Sequence, residues 1–413
     1  MPSMPTALPA DLQRAARLAI LVSALGYFVD VYDMVIFSVV RAQSLASIGV
    51  AEAERMGVGV RLLNLQMAGM LVGGLLWGVL GDRRGRLSVL FGSIFLYSAA
   101  NLANAFVQTV EQYEVLRVLA GIGLAGELGA GITLVSELMS KEGRGYGTTL
   151  VATNGVMGAI AAALVGSRLD WRTAYLVGGC MGFALLCLRV SVHEPRLFTA
   201  LKEKAVSRGN FLRLLTPGPT ARRYVSVVLA GVPIWFVIGV LITFAPEFGR
   251  ALGMTELPSV GLAVLVGNVG TVLGDLASGL FSQVARSRKR SVALFLGIGA
   301  LATVAFFTVG GSSLWAFYAC CGALGFSAGY MAVLVTIAAE QFGTNLRATA
   351  ATTVPNFIRG STVLLTSGLQ LATPWLGLRG AALCVGGVAL GVAFTALRGI
   401  DETFGRDLDF VEE

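Results

Sequence analysis

Ionisable side chains inside apolar runs are the residues of this chain with chemistry to perform. Asp30 and Asp33 lie within the run Leu18–Val40, Glu127 within 115–139, Asp275 and Asn268 within 258–285, and Arg359 within 349–372. A charged group at the centre of a membrane-crossing helix costs about 2.5–3.5 kcal/mol on insertion scales, so it is retained where it meets a partner or does work. Asp30 and Asp33 are three apart, which places them on one helix face. Two carboxyl groups that close in a low dielectric cannot both ionise cheaply, the condition under which an acid exchanges a proton. Arg359 has the opposite character: its planar fork suits a carboxylate in two-point contact, and it does not discharge by losing its proton. It follows Pro355 and Asn356 by about one turn, and the proline removes a backbone hydrogen bond so that the helix can open there. Trp235 and Tyr330 are candidates for the opposing wall, although either could equally face lipid. The structural alternative is an ion-pair cluster that only braces helices. Three central acids in one half and one central base in the other favour function. Arg41 and Arg117, near the ends of their runs, are expected to snorkel or to gate.

The elements that position these residues are membrane helices. The chain has 413 residues, 55% hydrophobic and 13% charged, with a mean hydropathy of +0.76 and 53 glycines. This excludes an ordinary soluble domain and fits a polytopic α-helical protein packed through small residues. Twelve spans are predicted, near 18–40, 62–81, 87–107, 115–139, 147–166, 173–192, 224–248, 258–285, 291–310, 313–341, 349–372 and 380–397. The longest connection, His193 to Arg223, divides them into an N-terminal six-helix bundle (1–192), a central loop with amphipathic helices (193–223), a C-terminal six-helix bundle (224–398) and a tail (399–413). Lys and Arg between spans number twenty-one on the side of both termini and seven on the other, so both termini are expected in the cytoplasm. The net charge of +7 sits between spans, which points to lipid headgroups and away from nucleic acid. No cleavable signal is evident. The five cysteines fall inside spans and read as packing residues, with no metal site or disulfide framework expected.

The halves look related. Gly74 and Gly78 precede the basic loop Arg83-Arg84-Gly85-Arg86, and Gly274 and Gly279 precede Arg286-Ser287-Arg288-Lys289-Arg290. Internal repeats of this kind mark secondary transporters, with the site at the repeat interface near the midplane. Two other matches mislead. Gly121-Ile122-Gly123-Leu124-Ala125-Gly126 fits a dinucleotide fingerprint, but no strand precedes it and it lies in an apolar helix, so it reads as helix packing. Gly325-Phe326-Ser327-Ala328-Gly329 fits a nucleophile elbow, but the chain's one histidine, His193, lies at the end of the sixth span and cannot serve Ser327 as base. No enzyme and no cofactor are expected.

The motif Gly78-Val79-Leu80-Gly81-Asp82-Arg83-Arg84-Gly85-Arg86 resembles the signature between the second and third helices of the major facilitator superfamily. The fourth span, with Arg117, Gly121, Gly123, Gly126-Glu127 and then Glu137 and Arg144, resembles the metabolite–proton symporter branch of that superfamily. So do Asp30-x-Tyr32-Asp33 in the first span and Arg347 with Asn356 at the eleventh. The aromatic-acid and sugar porter branches are next nearest. The resemblance implies two pseudo-symmetric six-helix bundles working by alternating access, with Gly78, Asp82, Arg83, Arg86, Glu137 and Arg144 in the gate. It also implies that Asp33, Asp30 or Glu127 carries the proton, Asp33 matching the better-defined acid. Arg359, Asn356, Trp235, Tyr330 and Asn268 are the candidates to hold a small substrate that bears a carboxylate. A monomer in a bacterial inner membrane is expected, its partners being substrate, protons and lipid. An exporter exchanging protons for a cationic or amphipathic compound is the alternative; the fifth helix, Thr153 to Gly158, lacks the proline of the drug-antiporter signature. A non-transporting sensor is the third reading, and the intact gating motif argues against it.

Overall fold

The computed structural model describes residues 10–84, 86–127, 144–191, 214–342 and 346–405. At 10–20, 78–79, 81–84, 86–90, 144–150, 152–153, 190–191 and 347–348 it describes the backbone alone. The expected amphipathic segment of the central loop at 193–213, His193 and Glu137 therefore lie outside the described residues. So do the side chains of Asp82, Arg83, Arg86 and Arg144, while Gly78 is described by its place in a helix.

Helices account for nearly all of the described chain. They are α1 (Ala10–Ser47), α2 (Glu52–Arg84), α3 (Arg86–Asn104), α4 (Val110–Leu124), α5 (Arg144–Arg168) and α6 (Trp171–Ser191) in the first half. The second half has α7 (Pro219–Trp235), α8 (Ala245–Ala251), α9 (Val260–Val284), α10 (Arg288–Thr308), α11 (Leu314–Ala328), α12 (Met331–Gln341) and α13 (Arg347–Ala396). Two spans are merged in α13, which turns at Gly377, where φ is 65°. One span is divided: α11 and α12 are the halves of the tenth, interrupted at Gly329 and Tyr330, whose ψ angles of 52° and 12° are not helical. A π-helical stretch, Phe236–Ile242, continues α7 after Pro233. Pro233 cannot donate into the ladder, and the helix relaxes into wider turns just beyond it. The element order is that of the twelve-helix architecture.

Among the described residues, eight stretches are long and apolar enough to cross a membrane by length and composition, the last of them holding the two spans of α13. Trp315, Trp375, Leu364, Leu371 and Val284 are more than three-quarters exposed, as lipid-facing side chains are. Cys321 is buried and Cys320 packs partly against the core, as the sequence predicts, whereas Cys180, Cys187 and Cys384 lie on that outer surface and do not pack helices.

The pairing of helices carries the repeat. In the first half α1 packs on α5, α2 on α4 and α3 on α6; in the second α7 packs on the first part of α13, α9 on α11 and α10 on the second part of α13. Between halves, α2 meets α13 and α5 meets α9, which exchange under the same two-fold relation. Close approach explains the glycine patterns taken above for ligand motifs. A Cβ on Gly121 would strike the backbone of Gln66 in α2, and one on Gly325 the backbone of Gly267 in α9. Without water-driven burial, helices in lipid associate through such contacts.

Below, the terminal face is the side where α1 begins and α2 ends. The far face is the side where α1 ends and α4 begins.

Candidate functional site

Where the halves meet, α13 faces α1, α2 and α4. The Arg359 guanidinium is 2% exposed and stands 3.9 Å from Asp30 Oδ2. Its Nη2 donates to the Tyr27 hydroxyl at 3.4 Å, and its Nη1 has no hydrogen bond among the described residues. Both Asp30 oxygens also lack one. Guanidinium and carboxylate thus attract across the interface without closing into the fork geometry that makes such pairs strong. One turn earlier, Asn356 donates from Nδ2 to Ala125 O in the first half at 3.0 Å, and its Oδ1 is unpartnered among the described residues. Trp235 and Asn268 border a crevice between the halves together with Met34, Ser38 and Met67. Asn268 spends one amide proton on Val264 O at 2.8 Å.

Asp33 does not share this environment. Three residues on a helix of 3.6 per turn are roughly 60° apart around its axis, and here that angle separates two surroundings. Asp33 points into the first half, against Gly178 of α6, where a Cβ would strike its Oδ1. The Asn101 amide of α3 and the Arg117 charge of α4 act on it. Neither oxygen makes a hydrogen bond of good geometry among the described residues. Arg117 is fully buried, donates to Gln66 Oε1 and lies 4.4 Å over the Phe37 ring. It does not snorkel to a headgroup, the first of the two roles expected from the sequence. Arg41 does bridge the halves: it pairs with Glu247 at 2.6 Å and stacks 4.4 Å over Phe244. Beside it Thr243 donates to Ser38 at 3.2 Å and Thr366 to Asn64 at 2.5 Å, so the far face is held together.

Glu127, the third candidate acid, forms a buried ion pair with Arg189 of α6 inside its own half. Gly26 of α1 makes the room, since a Cβ there would overlap both Glu127 Oε1 and Arg189 Nη2. Arg189 is the residue that sequence reasoning missed. An arginine two residues from the end of an apolar span reads as a headgroup anchor, and only the inward turn of α6 shows otherwise. The signal available was Glu127 itself, a mid-helix acid in need of a base.

Tyr330 does not stand with Trp235. It is 1% exposed, its hydroxyl donates to Ala230 O at 2.9 Å, and it packs beside Phe295 within the second half. The reason is the break between α11 and α12, which turns it into the bundle. Asp275 of α9 sits at the same break and accepts from the Ala332 backbone N–H, filling a donor that the second helix leaves open. Ser327 donates to Leu324 O at 2.6 Å within its own helix.

At the terminal face of the second half, Glu402 accepts from Ser287 Oγ and from the Arg288 backbone N–H at 2.9 Å. Glu340 accepts from Thr403 at 2.7 Å and from Arg288 at 3.4 Å. Burial pushes the Glu402 carboxyl up, but the hydrogen bonds from Ser287 and from the N–H groups of Phe404, Arg288 and Lys289 outweigh it and hold the group below its ordinary 4.5.

Two buried groups of opposite charge thus face each other from opposing bundles, in a helical body with a lipid-type surface. The family model of the Major Facilitator Superfamily matches residues 23–361. A protein of Haemophilus influenzae assigned by name to metabolite transport is 30% identical, over 83% of this chain and 85% of its own. A 3-(3-hydroxy-phenyl)propionate transporter of Escherichia coli is 28% identical, over 76% and 77%. A solved D-xylose-proton symporter superposes with a TM-score of 0.73 at 18% identity, covering 95% of this chain and 99% of that one. This chain belongs to the Major Facilitator Superfamily and is a multi-pass membrane transporter, not an enzyme.

Proposed function

We propose that the protein is a proton-coupled symporter of a small carboxylate, working by alternating access in a bacterial inner membrane with both termini in the cytoplasm. The observation that carries the reading is Arg359. It is a buried guanidinium on one half facing a buried carboxylate on the other at 3.9 Å, with a free donor among the described residues and no fork closed. An incoming carboxylate would take the fork in two-point contact. Asp30, displaced from its counter-charge in a low-dielectric site, would then take up a proton or pass the demand to Asp33. Asn356 would orient the substrate, with Trp235 and Asn268 on the opposing wall. Asp33 is the carrier in this reading, because its carboxylate is enclosed with no hydrogen-bond donor of good geometry among the described residues. The relatives named for a hydroxyphenylpropionate and, at 26% identity over 80% of this chain, for niacin in Acinetobacter baylyi make aromatic monocarboxylates the first substrates to test.

The gate in this reading includes Gly78, Asp82, Arg83, Arg86, Glu137 and Arg144 on the cytoplasmic side. Arg41 and Glu247 latch the other. The two bundles, 1–192 and 224–398, would rock about the interface as units. The test is a thermal-shift screen of aromatic carboxylates followed by counterflow in proteoliposomes. A ligand at about 100 times its dissociation constant should add roughly 2.7 kcal/mol, and its uptake should be accompanied by inward protons. Protons moving opposite to the substrate would establish the exporter instead.

A further inference from the structure

The first half holds more buried polar groups than its ion pairs require, and they are stacked along one direction. Asp33, Phe37 and Ser44 follow one another along α1, Tyr113 and Arg117 are one turn apart on α4, and Tyr175 and Gly178 are one turn apart on α6. These three faces converge. The Tyr113 and Tyr175 hydroxyls are 2.6 Å apart and Ser44 Oγ is 3.4 Å from Tyr113. All three side chains are fully buried, although Thr109, Glu111 and Gln112 beside them on the far face are exposed. Inward of the pair lies Asp33, whose Oδ1 abuts Gly178, one turn along α6 from Tyr175, and whose charge acts on the Tyr175 hydroxyl. Those two α6 positions are roughly 5 Å apart along the helix axis, and a bridging water would complete the step to Asp33.

We propose that this column is the proton's route between the far face and Asp33, with the Tyr113–Tyr175 pair as its relay. The proposal rests on the reading of Asp33 as proton carrier. Each hydroxyl accepts a proton on its oxygen and releases its own O–H proton to the next acceptor, ending on an Asp33 oxygen, so no group but Asp33 changes charge. The route lies inside one bundle, apart from the interface where Arg359 faces Asp30. Protons and substrate would thus reach the centre separately. Other groups that face Asp33 set its response to pH: Asp30 and Tyr32 from α1, Tyr97 and Asn101 from α3, and Arg117 from α4, itself held by Gln66 of α2. Phenylalanine tests the relay cleanly, because the rings pack edge-to-face with Phe37 and Trp171 at 5.7 and 6.4 Å and need no hydroxyl for that.

The experiment uses the full-length chain in liposomes, without substrate. After a pH jump on the far-face side, the protonated-carboxyl infrared band that Asp33→Asn removes is followed in time. Tyr175→Phe should slow its rise by about tenfold or more, as for loss of a positioned proton-transfer group, and leave its final amplitude unchanged. Tyr113→Phe carries the same expectation should Tyr175→Phe not fold. Tyr330→Phe, which deletes a buried hydroxyl in the other half, should leave the rate alone. An unchanged rate in both relay variants overturns the route while leaving Asp33 as carrier. Absence of the band in the unmodified protein overturns the carrier and the route together.

Discussion

The two halves pair their helices alike and fill their interiors differently. The first encloses Asp33, Glu127, Arg117, Arg189, Gln66, Asn101 and Asn104. The second carries an aromatic cluster toward the far face, with Phe248, Phe306, Phe307 and Phe317 in contact at centroid distances of 5.1 to 6.0 Å. Its Thr303 and Ser327 hydroxyls spend themselves on carbonyls within their own helices, and Thr271 reaches the carbonyls of Gly267 and of Gly325 on α11. The second half presents Arg359 and Glu247 to the first at the interface. Backbone packing through small residues is indifferent to what the remaining side chains do, so a duplicated architecture can hold titratable groups in one copy and recognition in the other.

The comparison breaks most readily at Glu127 and Arg189. Removing one partner of a buried ion pair strands the other, at a cost of about 3–5 kcal/mol. Arg189→Leu should therefore unfold at markedly lower temperature, and Arg189→Leu with Glu127→Leu should recover much of the loss. A single variant as stable as the parent would show the pair to be solvated. Next in size is Arg359→Lys, which keeps charge and loses the fork. Charge-assisted hydrogen bonds are worth about 1.5–3 kcal/mol, so carboxylate affinity should fall by about tenfold or more in a protein that still folds and inserts. Unchanged affinity would make Arg359 a strut to Asp30. A double-mutant cycle on Arg41 and Glu247 should return a coupling of about 1–2 kcal/mol, read as easier opening of the far face by cysteine accessibility; a coupling near zero would remove the latch.

The smallest effect concerns Glu402. Its carboxyl is depressed in the folded protein, so the stability it contributes is present above about 4.5 and is lost as pH falls through the lower folded value. Hydrogen exchange at the start of α10 should quicken in acid below that point, and Glu402→Gln should abolish the pH dependence. Acid-independent exchange in the unmodified chain would place the anchor of α10 elsewhere.

Much of the architecture is legible in the sequence because a membrane span must be long and apolar, whatever it packs against. Twelve spans and a repeat follow from that rule. Helix rotation is not legible. Asp30 and Asp33 differ by a modest angle, yet one meets Arg359 and the other the interior of the first half. Arg189 looks like an anchor until α6 turns it inward, and Tyr330 is removed from the interface by a helix break announced only by Gly329. Arg359 was accessible to sequence reasoning because a guanidinium mid-span has no innocuous surroundings.

The division of labour is tested most directly in Asp33→Asn, by measuring pH-gradient-driven uptake and substrate exchange side by side in the same proteoliposomes. The account predicts that accumulation against a gradient disappears while exchange persists, since the interface around Arg359 is left intact. Uptake that stays fully coupled to the pH gradient in that variant would contradict it.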